Sequence, residues 1–235
     1  MIKLVNRLGA QKVLPVTFSL TQIPLDIQVP YQPLYGRDGA VKTGKSTMSP
    51  RQFTLQGTII HRSKADTGQE LDELLPFLME SPIEVYRHHE DTRFLRAHPV
   101  GAPQDWLTGD AEVRLRVPMI ALDPYWYGPE VTVQVSGTQT VDVDGSAPTR
   151  PIITTVGSVA SLIVANQTTG KEIAVTGAGA VIEVDTLDYV VNIGGQASLD
   201  KANDDWLLYG FELLPGANQI TTNTPIMLTY SPRWW

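Results

Sequence analysis

Cysteine is absent from this 235-residue chain, which excludes disulfides and thiolate metal centres and leaves the redox compartment unset. Charged residues make up only 18%, against about a quarter in ordinary globular chains. No apolar run approaches the roughly 20 residues that span a bilayer, so direct membrane insertion is not expected. The opening segment, MIKLVNRLGAQ, lacks the apolar core of a secretion signal, which predicts a protein made and folded in a cytoplasm. Histidines are scarce: His61, His88, His89 and His98. Adjacent residues of a strand point to opposite faces, so His88 and His89 are not expected to share a metal. No set of three or four converging ligands is visible. Neither a metal nor a cofactor is expected.

What is abundant points to β structure. Hydrophobic residues reach 42%, with 17 prolines and 19 glycines, the mark of many short strands joined by turns. The net charge of −7 is unevenly spread. Residues 1–129 carry 14 basic and 14 acidic side chains, and residues 130–235 carry 4 and 11. This asymmetry predicts two domains, 1–129 and 130–235. It also argues against nucleic-acid binding by the second half, because phosphate contacts need Lys and Arg.

The stretch AEVRLRVPMIALDPYWYG, residues 111–128, separates the two. Val113, Leu115, Val117 and Met119 alternate with Glu112, Arg114, Arg116 and Pro118, giving a strand with one core face and one wet or partner-facing face. Asp123-Pro124 then turns the chain. Upstream, strands are expected at Ile2–Val5, Val16–Ile23, Leu25–Val29 and Phe53–His61, where Phe53, Leu55, Gly57 and Ile59 share a face. A polar loop without internal fold is expected over residues 31–50. Thr67-Gly-Gln-Glu70 fits a capping box, and Leu71, Leu74, Leu75, Leu78 and Met79 form a helical stripe. Pro76 should kink or end that helix near Leu75. Ile83–Arg87 and Arg93–Ala97 read as a hairpin, followed by a loop containing Trp106. From Val131 no helical period appears. Ten short strands are expected, including Trp206–Leu214, in a β-sandwich or jelly roll.

Several motifs imitate chemistry. Gly39-Ala-Val-Lys-Thr-Gly-Lys-Ser46 matches a phosphate loop letter for letter, but such a loop needs a preceding strand and a helix opening at its Lys-Ser. Pro50 follows too soon. Asp142-Val-Asp-Gly-Ser146 starts like a calcium loop yet lacks the distal bidentate Glu. Asp204-Asp205 alone gives no glycosidase pair, since that chemistry depends on separation across a cleft. No serine lies in a nucleophile-elbow context. The chain is read as a non-enzyme.

Three segments together resemble the distal tail proteins of long-tailed bacteriophages: the DPYWYG corner at 123–128, FELLPGANQI at 211–220 and the closing TYSPRWW at 229–235. The resemblance implies a split β-barrel with one helix for the first domain and a galectin-like sandwich for the second. It implies a short family form, in a six-fold ring at the tail tip of the virion. That ring joins the tail tube protein to the tail-tip hub protein and to receptor-binding or side-fibre proteins, with DNA passing through the lumen without specific binding. Candidate contacts between subunits are Arg37, Lys42, Lys45, Arg51, Arg114, Arg116, Trp126, Trp234 and Trp235. Arginines and large rigid aromatics are what interface centres use. A carbohydrate-binding β-sandwich is the alternative, and it predicts tryptophans exposed on one sandwich face.

Overall fold

The computed structural model describes residues 1–22, 26–33, 40–43, 47–89, 91–101, 103–109 and 111–235. The chain is mostly β and divides into two compact units, Met1–Trp126 and Tyr127–Trp235.

The first unit contains β1 (Lys3–Val5), β2 (Gln11–Val13), β3 (Ser19–Gln22), β4 (Ile27–Gln28), β5 (Tyr31–Pro33), β6 (Ala40–Lys42), β7 (Thr47–Met48), β8 (Arg51–Ile60), α1 (Lys64–Met79), β9 (Ile83–Tyr86), β10 (Phe94–Pro99), β11 (Gln104–Gly109) and β12 (Glu112–Ala121). Its main sheet runs β2-β1-β9-β10-β12-β8-β3, with β11 also on β12. This sheet is open, and no closed barrel forms among the described residues. Its spine is the antiparallel ladder from Glu112 opposite Ile60 to Ala121 opposite Arg51. Strict alternation buries Val113, Leu115, Val117, Met119 and Ala121, and leaves Arg114 and Arg116 exposed. On β8, Phe53, Leu55 and Ile59 are buried, and the gap in their row at Gly57 is filled by the Phe18 ring.

The helix departs from its expected limits at both ends. It starts one turn earlier, where the Ser63 Oγ accepts the Asp66 N–H at 3.2 Å. Thr67 is therefore not a cap. It is buried inside the first turns, its hydroxyl within reach of the Ser63 and Ala111 carbonyls at 3.1 and 3.0 Å. Nor does Pro76 end the helix, which continues to Met79. Leu74 and Leu78 flank the proline and are fully buried, while Pro76 itself is exposed. Burial of two leucines, about 1.5–3 kcal/mol each, outweighs one missing backbone hydrogen bond. Of the expected stripe, Met79 is exposed.

Two further expectations fail in this unit. Residues 31–50 are not an unfolded loop: β5 pairs β6, and β7 pairs β4, both antiparallel. These short strands lack the apolar alternation that would have advertised them. Trp106 lies on β11, paired to β12, rather than in a loop.

The second unit contains β13 (Trp126–Tyr127, shared with the boundary), β14 (Val131–Val135), β15 (Thr138–Val143), β16 (Ile152–Thr155), β17 (Val159–Asn166), β18 (Lys171–Ala180), β19 (Ile182–Asp185), β20 (Val190–Ile193), β21 (Gln196–Ala197), α2 (Asp204–Tyr209), β22 (Gly216–Thr222), β23 (Ile226–Tyr230) and β24 (Arg233–Trp234). One sheet runs β14-β23-β16-β19-β20-β21 and the other β15-β22-β17-β18. Inward rows such as Ile153, Val184 and Leu228 from the first and Val141, Val164 and Ile220 from the second share one core. Two sheets are needed because each strand buries a single face.

Trp206–Leu214 is not a strand. Asp204–Tyr209 is a short helix that ends at Gly210, whose φ of 67° suits glycine. Trp206 is a core residue, stacked on Tyr189 at 5.7 Å. Asn203 leads into α2 and exchanges hydrogen bonds with Ala174 of β18, covering part of an otherwise open edge.

A candidate assembly interface

The candidate contact residues occupy four places. The first is the paired segment β4–β7, where Ile27 and Val29 are exposed. Lys42 lies on β6, its side chain outside the described residues, as are Arg37 and Lys45. The phosphate-loop match falls here too. Gly39 and residues 44–46 lie outside the described residues, and Thr47, where a phosphate loop needs helix, belongs to a strand.

The second place is the outward face of β12 and β8. Arg114 and Arg116 share it with Gln56 and Thr58, and Thr17 and Ser19 complete an open groove of about 230 Å³. Glu112 sits 3.8 Å from Arg114 in an exposed pair, too wet to contribute more than a few tenths of a kcal/mol.

The third place surrounds Trp126, which is buried. The Arg87 guanidinium lies 4.4 Å from its ring centre and that of Arg51 5.9 Å. Such cation–π contacts strengthen as water is excluded. Arg51 is only 8% exposed, and its Nε has no hydrogen-bond partner among the described residues. Burial, and then the neighbouring charge of Arg87, pulls its pKa below the usual guanidinium value. Arg87 was not among the residues singled out from sequence, although a signal existed. It continues the row of Ile83 and Val85, and Arg51 that of Phe53 and Leu55, all four of which are buried. Arg87 itself is exposed just past the end of β9, whereas Arg51 is buried, and a charge in a buried row needs a reason.

The fourth place is the chain end, within the second unit. The Gly128 N–H donates to the Pro232 carbonyl at 2.9 Å, and the Trp234 ring lies where a Cβ on Gly128 would stand. Arg233, also overlooked in the sequence, is buried with its guanidinium 5.6 Å from the Tyr127 ring centre. The segment that starts like a calcium loop but lacks its distal Glu holds this end in place. Ser146 and Ala147 N–H groups both donate to the Arg233 carbonyl, at 2.9 and 3.0 Å. Gly145 has a φ of 118° and no room for a Cβ against Arg233. Trp234 is thus half-buried packing, and Trp235 is exposed.

No group of three His, Asp or Glu suited to a metal exists among the described residues. His88 and His89 sit in a turn rather than a strand, so their rings do not diverge and lie 4.4 Å apart. His98 pairs through Nδ1 with the Ser81 hydroxyl at 2.5 Å. The exposed aromatic side chains of the second unit, Tyr209 and Trp235, lie on α2 and past β24, not on a sheet face. No helix among the described residues is long and apolar enough to cross a membrane.

Comparison with known proteins adds the following. Residues 144–234 match the family model of the siphovirus-type tail component, C-terminal domain. No curated protein sequence matches the chain. The fold is similar to that of the crystallised Dit protein of phage SPP1, described as a paradigm of the hub adsorption apparatus of phages infecting Gram-positive bacteria. That match has a TM-score of 0.73 and 16% identity over 100% of both chains. Chains of the phage p2 baseplate in its activated conformation, with calcium and with strontium, match at TM-scores of 0.56 and 0.57. Their identities are 9% and 10%, over 97% of each chain. The second unit thus matches the C-terminal domain model of the siphovirus-type tail component, and the whole chain shares the fold of the SPP1 Dit protein.

Proposed function

We propose that the chain is a structural, non-enzymatic subunit of the phage tail tip, acting as a closed ring of six copies that joins the tail tube to the hub and to receptor-binding proteins. The observation that carries this reading is the full-length likeness to the SPP1 Dit protein, which spans both units. The first unit supplies the ring and the second the outward attachment, with DNA passing through the lumen and assembly taking place in the host cytoplasm.

Charge supports a head-to-tail arrangement. In such a ring each copy presents two unlike patches to its neighbours. Arg114 and Arg116 stand on the exposed face of β12, and the second half, with 11 acids against 4 bases, offers the opposite sign. Trp235 is exposed and supplies apolar area, while Trp126 is buried and Trp234 half-buried; Lys42 lies on β6, and Arg37 and Lys45 lie outside the described residues. Immunogold labelling of virions tests the assignment. Label at the tail tip is the expected result, and label on the capsid or along the tube would end it.

A further inference from the structure

We infer that the open edge of β15 is an interaction surface that takes an added β-strand, and that its occupant is an extended segment of another protein bearing lysine or arginine. That this protein is a component of the tail tip rests on the attachment role proposed above for the second unit.

Register shows which backbone groups are free. β15 ends one sheet of the second unit and pairs only with β22, antiparallel, from Thr138 opposite Thr221 to Val143 opposite Gly216. Bonded and non-bonded residue pairs alternate along such a ladder. The Thr222 N–H donates to the Gly137 carbonyl at 2.9 Å, so Gln139, Val141 and Val143 turn their backbone groups toward β22. Thr138, Thr140 and Asp142 turn theirs the other way. The Asp142 carbonyl accepts the Tyr230 hydroxyl at 3.2 Å. The N–H and C=O groups of Thr138 and Thr140 meet no partner among the described residues. Thr138, Gln139 and Thr140 are also exposed in succession, whereas β14, the edge strand that precedes them, has a buried or half-buried residue at every second position.

An exposed edge invites pairing with other chains, and proteins blunt it with short strands, prolines, lysines, bulges or a covering segment. The opposite edge of the same sheet is covered: Ala202 bridges Val175 of β18, and Asn203 exchanges hydrogen bonds with Ala174. In the other sheet the edge strand β21 is only two residues long. β15 has none of these devices. It runs for six residues in unbroken register and contains neither proline nor lysine. Strand addition is the binding mode such an edge offers, because the partner's main chain supplies the hydrogen bonds and its alternate side chains the selectivity. Charge sets that selectivity. Residues 130–149 include Glu130, Asp142 and Asp144, all exposed, and no Lys or Arg. A cationic strand meets complementary charge along this edge, and an acidic one is repelled.

The probe is a capped heptapeptide of alternating valine and lysine, added to the full chain, with its valine–glutamate counterpart as the control. Hydrogen exchange read by mass spectrometry should slow at residues 136–143 with the lysine peptide and stay unchanged with the glutamate peptide. Thr140→Pro removes one outward N–H and leaves the β22 ladder intact, and edge strands tolerate proline. This variant should melt as wild type does and bind the lysine peptide about tenfold or more weakly, the loss expected when one or two backbone hydrogen bonds go. No protection of residues 136–143 by the lysine peptide, or equal protection in Thr140→Pro, overturns the site. Equal protection by both peptides overturns the cationic occupant. If Thr140→Pro does not fold, Asp142→Lys takes its place: preference should pass to the glutamate peptide, and an unchanged preference overturns the proposal. Virions carrying Thr140→Pro then test the partner. Immunogold label should stay at the tail tip while a protein attached there is lost, read by mass spectrometry of purified particles. Particles of wild-type composition overturn the tail-tip partner. Self-association of the wild-type chain that disappears in Thr140→Pro makes a second copy the occupant and overturns it too. Peptide binding by a chain whose wild-type label lies away from the tail tip overturns the attachment reading while leaving the edge site in place.

Discussion

Asn218 shows how much of a fold one side chain can hold. It is fully buried in the turn that opens β22. Its Oδ1 accepts the Leu214 N–H at 2.9 Å and the Asn166 Nδ2 at 3.2 Å, and its Nδ2 donates to the Leu214 and Gly216 carbonyls at 2.7 and 2.9 Å. Asn218→Ala leaves several of these groups unmatched, so denaturant unfolding should show a loss of about 3 kcal/mol. The PGAN motif is visible in the sequence as a turn, but the partner Asn166 lies 52 positions away and could not be read from spacing. Tyr86 makes a second point at this scale. Burial first, then the charge of Glu84 and its hydrogen bond, push the phenol up to about 12, with Arg96 opposing. The folded state therefore holds this proton more tightly than the unfolded chain, whose phenol titrates at 10.0. The stabilisation is complete below pH 10 and is lost as pH rises from there toward the folded pKa of about 12. Glu84→Gln should move Tyr86 ionisation back toward its ordinary value. Ultraviolet difference titration against Tyr86→Phe checks it, and an unmoved titration would mean burial alone sets the shift.

Elements were legible wherever a periodic apolar row reached the core. The alternation of β12 and β8 was plain, and so was the helical run of leucines. The ends of α1 were not, because Ser63-Lys-Ala-Asp66 and Thr67-Gly-Gln-Glu70 offer capping signals one turn apart. The choice between them is made by the Ala111 carbonyl beside Thr67, a tertiary contact. Helix α2 was missed because six residues are too few for a period, and Trp206 alone suits either strand or helix. Segment 31–50 was missed because its strands, at two or three residues each, are too short to show an alternation. Two substitutions follow from the elements as seen. Pro76→Ala restores a backbone donor at an exposed helical position and should stabilise the protein by about 1–3 kcal/mol, read from the urea midpoint at constant m. Gly57→Ala drives a methyl into the Phe18 ring and should destabilise by about 1–3 kcal/mol, as overpacked cores do. Pairing it with Phe18→Leu should recover part of that loss if the ring is the obstacle, and additive losses would point to the backbone instead.

At the scale of the molecule, the switch in charge balance placed the domain boundary between residues 129 and 130, while the compact units meet between Trp126 and Tyr127. The three residues in question are not neutral linker. Tyr127 lies under the Arg233 guanidinium, and Gly128 donates to Pro232 and seats the Trp234 ring. These contacts lie within the second unit and hold its last strand, which the turn at Gly145–Ala147 grips from the other side. Charge counting could not detect them, because Tyr127, Gly128 and Pro129 carry no charge. Two fragments separate the alternatives. A fragment of residues 127–235 should melt cooperatively, because its core and both sheets are complete within it. A fragment of residues 130–235 should keep the same core but lose the Gly128 hydrogen bond and the packing of Tyr127 and Trp234. Its expected deficit is about 2 kcal/mol, the sum of one hydrogen bond and part of an aromatic contact. Amide exchange should locate the loss at residues 231–235 and 145–147 and leave β17 and β22 protected. Equal melting of the two fragments would return the boundary to residue 130, and failure of both to melt cooperatively would mean that the second unit depends on the first for its fold.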